Sequence, residues 1–117
     1  MKILNNKVIL IEAHGFITRL RGLIGKKLED LTGLELSPCN QIHTFFMKYP
    51  IDAVFVSNDN KILHIEKNMM PGKFGKRVKN AKKVIELKSG ASGELGLEVG
   101  EKIFIDEKRI GMEANYE

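Results

Sequence analysis

The single cysteine of the chain, one of its three histidines and an isolated aspartate fall close together in the stretch Pro38-Cys39-Asn40-Gln41-Ile42-His43-Thr44-Phe45-Phe46-Met47-Lys48-Tyr49-Pro50-Ile51-Asp52. Cys39 and His43 are the types that build a thiol–imidazole pair, in which a neighbouring base or a helix N-terminus stabilises the thiolate. Spacing decides whether they can meet. Four residues apart on a strand they lie roughly 13 Å apart, whereas in a helical turn they come within roughly 6 Å. Ser37-Pro38 reads as an N-cap followed by a first helical residue, so we expect one turn over residues 37–41 running into a strand over Ile42–Met47. With Asp52 orienting His43, this gives one functional reading, an acyl- or thiol-transfer enzyme. The plainer reading makes Cys39 a small buried apolar residue and Asp52 an acceptor for backbone amides around the Pro50 turn.

Two further chemistries can be weighed at the same residues. Cys39, His43, Asp52 and His64 or His14 could supply metal ligands. No paired-cysteine or paired-histidine motif accompanies them, so we expect no metal and no cofactor. Alternation places Phe45 and Met47 with His43, and Phe46 with Ile42 and Thr44. Phe45, Phe46 and Met47 are expected in the core or lining a pocket. Cys39, Asn40, His43, Thr44, Phe45, Met47 and Asp52 then form a candidate small-ligand pocket, apolar with a few polar groups. A ligand-binding or accessory module is the reading this constellation favours, and the enzyme is its alternative.

Charge is concentrated in one place. Of the net +4, the segment from Lys61 to Lys83 carries +7, with eight basic residues against Glu66 alone, and the rest of the chain carries −3. Lys73, Phe74, Lys76, Arg77, Lys79, Lys82 and Lys83 mix cations with an aromatic ring, so weak nucleic-acid contact through this loop is a second alternative. No recognised nucleic-acid signature accompanies the run, and a solvated loop is the favoured account of it.

The elements that must position these groups are short. At 117 residues, 43% hydrophobic and 29% charged, the chain reads as one globular domain over residues 1–107 with a polar, frayed tail over 108–117. It lacks a run apolar enough to span a bilayer. Asn5-Asn6-Lys7 interrupts any signal-peptide core, and a lone cysteine suits a reducing compartment. The expectation is a cytoplasmic monomer or weak dimer, without membrane contact, whose partner is a small molecule or a protein.

Val8–Ile11 reads as a buried strand, and Phe16–Ile24 as a helix weakened by Gly22. Asn58-Asp59-Asn60 marks a tight hairpin joining Val54–Val56 to Ile62–Ile65. In the second arm Leu63 and Ile65 share one face, which turns His64 and Glu66 toward solvent. Residues 68–80 read as a long mobile loop. Val84–Leu87 resumes a strand, Ser89–Leu97 gives a turn and a short helix, and a turn at Val99–Glu101 feeds a last strand. The fold class this predicts is β-dominated α+β, a small, mostly antiparallel sheet or barrel with one or two short helices.

Taken together, Pro38-Cys39, Ile42-His43-Thr44, Met47 and Pro50-Ile51-Asp52 resemble the signature of domain-of-unknown-function family 192. Arg21-Gly22-Leu23, Glu86-Leu87 leading to Gly90, and Gly96 with Val99-Gly100-Glu101 add to the likeness, which covers roughly Thr18 to Ile105. Lys88 and Ser89 stand where the family often has proline, and the loop after Pro71 is unusually basic. The resemblance implies a fold and the location of a site, and no established activity.

Overall fold

A computed structural model describes residues 2–5, 7–13 and 32–107. Seven strands form one sheet: β1 (Lys2–Leu4), β2 (Val8–Ala13), β3 (Thr32–Leu36), β4 (Ile51–Val56), β5 (Ile62–Met69), β6 (Lys83–Lys88) and β7 (Ile105–Glu107). Their order across the sheet is β5-β4-β6-β3-β2-β1-β7. Every neighbouring pair is antiparallel except β2–β3. The sheet curls into a half-barrel. Ahead of β7, residues 100–103 hydrogen-bond to the start of β5: the Ile62 N–H donates to the Glu101 carbonyl at 2.8 Å, and the Ile103 N–H to the Asn60 carbonyl at 2.9 Å. Among the described residues the one helix is α1 (Ala91–Glu94). The β-dominated, mostly antiparallel class expected from the strand pattern is therefore the fold observed. The expected helix over Phe16–Ile24 and the tail over 108–117 lie outside the described residues.

Strand alternation explains why the core has two halves. In β4, Ile51, Ala53 and Phe55 join one cluster with Leu34, Leu36, Ile42, Met69, Val78, Ala81 and Val84. Val54 and Val56 join the other, with Leu4, Val8, Leu10, Ile62, Ile85, Leu87, Ala91, Leu97 and Ile103. Each Val, Leu, Ile, Phe or Met side chain among them, fully buried, contributes about 1.5–3 kcal/mol. This second cluster packs closely on Gly33. A Cβ there would lie 2.8 Å from Leu87 Cδ2 and 3.1 Å from Leu10 Cδ2. The β4–β5 hairpin forms where Asn58-Asp59-Asn60 predicts it, with Asn60 in the left-handed region at φ 65°.

Elsewhere the structure corrects the sequence expectations. Residues 42–47 are not a strand, because the chain turns at Phe45–Phe46 with Phe46 at φ 71°. No helical turn forms over 37–41, where the chain instead runs beside Lys82 and the Cys39 N–H donates to its carbonyl at 3.0 Å. The loop expected over 68–80 is shorter and firmly tethered. β5 runs on to Met69, and Val78 and Ala81 are buried in the first cluster. Phe45 and Phe46 are exposed rather than core, Phe46 by 69%. His64 is half-buried, its ring 5.6 Å from that of Phe55 and its Nε2 3.6 Å from a Glu66 oxygen.

Candidate functional site

Residues 39–44 and 72–82 run alongside each other as an irregular ribbon over the first cluster. The Val78 N–H donates to the Asn40 carbonyl and the Gly75 N–H to the Ile42 carbonyl, each at 2.9 Å. The Thr44 N–H reaches the Lys73 carbonyl at 2.8 Å, and the Gln41 side-chain amide the Gly75 carbonyl at 2.9 Å. Backbone donors and acceptors buried away from strands must find such partners. Gly75 permits the approach: a Cβ there would sit 2.8 Å from the Ile42 carbonyl oxygen.

Thr44 is the hub of the ribbon and is fully buried. Its hydroxyl accepts from the Lys73 N–H at 2.8 Å and donates to the Met70 carbonyl at 2.6 Å. Its carbonyl receives the Gly72 N–H at 2.9 Å. Between Met70 and Lys73 the chain reverses at Pro71-Gly72, where Gly72 has φ 77°, the conformation a type II turn requires at that position.

The ribbon carries a row of rings. His43 pairs across to Phe74. The His43 ring stacks on Phe45 at 4.9 Å with 24° between planes, and Phe45 lies 6.2 Å from Phe74. Phe45, Phe46, Met70 and Phe74 are all exposed. Beside Phe74 opens a cleft of about 320 Å³. Glu66, Asn68 and Met69 of β5 line it from one side, and Met70, Lys73, Phe74, Gly75 and Lys76 from the loop. Arg77, Lys79 and Lys82 continue the exposed cations along the ribbon. Lys83 does not join them, because its ammonium turns to Asn60 Oδ1 at 3.2 Å and lies 3.9 Å from Glu35.

Asp52 stands apart from this face. Almost fully buried, it accepts at Oδ1 from the Asn68 N–H (2.9 Å) and at Oδ2 from the Gly90 N–H (3.1 Å), the Ser92 N–H (3.0 Å) and the Ser92 hydroxyl (2.6 Å). Burial alone would raise its pKa, but these four donors hold the carboxyl below its ordinary value. Its partners are distant backbone amides, neither His43 nor the amides around Pro50. A register shift in β5 opposite Asp52, with Asn68 at φ 51°, aims the Asn68 amide at it. Asp52 thus helps to set the residue that lines the cleft.

The Cys39 thiol is half-buried against the first cluster and donates to the Gln41 carbonyl at 3.3 Å. Among the described residues no three His, Cys, Asp or Glu side chains gather as metal ligands would; His14 is not among them. Of the residues expected to share a pocket, the structure brings His43, Thr44 and Phe45 together on the ribbon. Cys39, Met47 and Tyr49 pack beneath it and Asn40 accepts within it. The cleft instead uses Lys73, Phe74 and Lys76, together with Glu66, Asn68, Met70 and Gly75, which the sequence did not single out. The turn-forming Pro71-Gly72 pair is the signal that could have folded the basic loop back against His43–Phe45.

A protein of unknown function from Novosphingobium aromaticivorans DSM 12444 shares the fold with a TM-score of 0.68 and 20% identity, covering 81% of this chain and 73% of that chain. A putative transcription regulator from Sinorhizobium meliloti 1021 does so with a TM-score of 0.71 and 18% identity, covering 89% and 93%. At these identities the likeness concerns the fold alone. No curated protein matches the chain. A family model described as "Uncharacterized ACR" matches residues 4–105, including the ribbon, the cleft and Asp52, and the chain belongs to this family, domain-of-unknown-function family 192.

Proposed function

We propose that the domain is a ligand-binding module whose site is the cleft beside Phe74, and that its ligand is a small planar molecule carrying negative charge. The carrying observation is the lining of that cleft, in which the exposed ring of Phe74 is joined by Lys73, Lys76 and Glu66. A ring laid against Phe74 gains stacking and apolar burial. The two ammonium groups complement a phosphate or carboxylate, and Glu66 accepts from ring N–H groups. Phe46 supports the reading independently. A bulky residue in the left-handed region costs of order 1–3 kcal/mol, and such strain gathers at binding and switch segments. Cys39 serves the ribbon as packing, with its S–H engaged at Gln41.

Uridine 5′-monophosphate, titrated against the ¹⁵N-labelled protein, tests this. Amide shifts are expected at Lys73–Lys76 and Asn68, and inorganic phosphate alone should produce smaller ones. Shifts confined to residues outside the ribbon and β5, or none at millimolar nucleotide, would overturn the reading.

A further inference from the structure

Beyond the cleft, the ribbon has length, direction and one sign of charge. Lys73, Lys76, Arg77, Lys79 and Lys82 are all exposed along one of its two segments. Between Lys67 and Lys83 the sequence holds no acid, and Glu66 lines the cleft. The rings of Phe74, Phe45 and His43 succeed one another at 6.2 and 4.9 Å at one end of this line of cations. Backbone bonds on both segments hold the whole arrangement, so it exists before any partner arrives.

We infer that the ribbon binds single-stranded nucleic acid, with bases stacked on Phe74 and Phe45 and the sugar–phosphate backbone following Lys76, Arg77, Lys79 and Lys82. This rests on the cleft reading and extends it: the cleft holds one base, and the ribbon holds the nucleotides next to it. Exposed rings beside a cationic track are how sequence-tolerant single-strand binders work, stacking supplying what charge alone does not. From Cys39 to Thr44 the ribbon spans at most about 18 Å, room for about four nucleotides at the low end of such sites. A duplex keeps its bases stacked inside and cannot use the rings. An anionic membrane would also meet the cations and the exposed Phe46 and Met70, but the succession of rings at 6.2 and 4.9 Å beside the cleft suits flat bases and serves no purpose toward a lipid headgroup.

The test is fluorescence anisotropy with a 12-nucleotide uridine RNA at 25–200 mM KCl, using the wild-type protein, Phe74→Ala and Lys76→Ala/Lys79→Ala. Binding should weaken with salt, with a slope of log K against log [salt] of about −2.8 if the four cations of the track meet phosphate, at about 0.7 per contact. Phe74→Ala should weaken binding roughly five- to hundred-fold at fixed salt, and the double lysine variant should flatten the slope by about 1.4. Absence of binding at 25 mM KCl overturns the inference. So does equal binding of a duplex, unaltered binding by Phe74→Ala, or co-sedimentation with phosphatidylserine vesicles in place of RNA binding. If uridine 5′-monophosphate still shifts the cleft amides while the 12-mer binds no more tightly, the ribbon inference falls and the cleft reading stands.

Discussion

On the face of the sheet that carries the second cluster, Asp52 and Glu35 are almost fully buried and held by donors, Asp52 by four hydrogen bonds and Glu35 by Lys2 at 2.9 Å with Lys83 nearby. On the ribbon the reverse holds. The polar backbone is satisfied internally, while the rings of Phe45, Phe46 and Phe74 stand in solvent. Folding alone rewards the first arrangement and gains nothing from the second. Buried charge survives only when paired and hydrogen-bonded, and a cluster of exposed aromatics is the less ordinary feature of a surface. The contrast separates two kinds of polar chemistry that look alike in the sequence: Asp52 builds the domain, and the ribbon displays a surface.

Asp52→Ala should break the comparison hardest from the structural side. It strands the Asn68, Gly90 and Ser92 amides and should cost about 3 kcal/mol, on the order of 12 °C in Tm. Asp52→Asn sharpens the same point through pH. The folded-state pKa of Asp52 lies below its ordinary value, so its stabilisation is complete above about pH 4 and is lost as pH falls through the lower folded value. Thermal melts between pH 2.5 and 6 should show a steeper acid limb for wild type than for Asp52→Asn. Parallel limbs would mean that the carboxylate contributes no such term.

A smaller effect is expected where the ribbon closes. Gly75→Ala places a methyl against the Ile42 carbonyl and should cost about 1–2 kcal/mol as the segments part. Cys39 packs beneath the ribbon, and as the only thiol it reports the opening, so its alkylation in native protein should accelerate. An unchanged rate would show that the two segments move together.

The smallest change should have the opposite sign. Phe46→Asn relieves a left-handed phenylalanine that is largely exposed, so urea denaturation should show stability kept or raised by about 0.5–1 kcal/mol. Loss of stability would make Phe46 part of the packing and undo the contrast drawn above.

Local pattern made much of the sheet legible. β-branched runs mark β2, β4 and β6, and Asn58-Asp59-Asn60 marks the hairpin, because period, propensity and turn chemistry act over a few residues. Strand β3 was not legible. Thr32-Gly33-Leu34-Glu35-Leu36 carries a glycine packed against Leu10 and Leu87 and a carboxylate neutralised by Lys2, all distant in the chain. The strand pattern over Ile42–Met47 misled for the same reason: Phe46 takes up a turn that Thr44 anchors through Lys73 and Met70.

The sequence by itself determined the β-dominated class, the family and the hairpin. Only the tertiary structure decided which residues come together on the ribbon and in the cleft. The ribbon is closed by backbone groups 28 to 43 positions apart, and a backbone amide has the same chemistry in every residue but proline. Asp52 likewise meets Asn68, Gly90 and Ser92 only after three elements have packed. Side-chain type is written locally along the chain, whereas the partner of a hydrogen bond is fixed when distant segments meet.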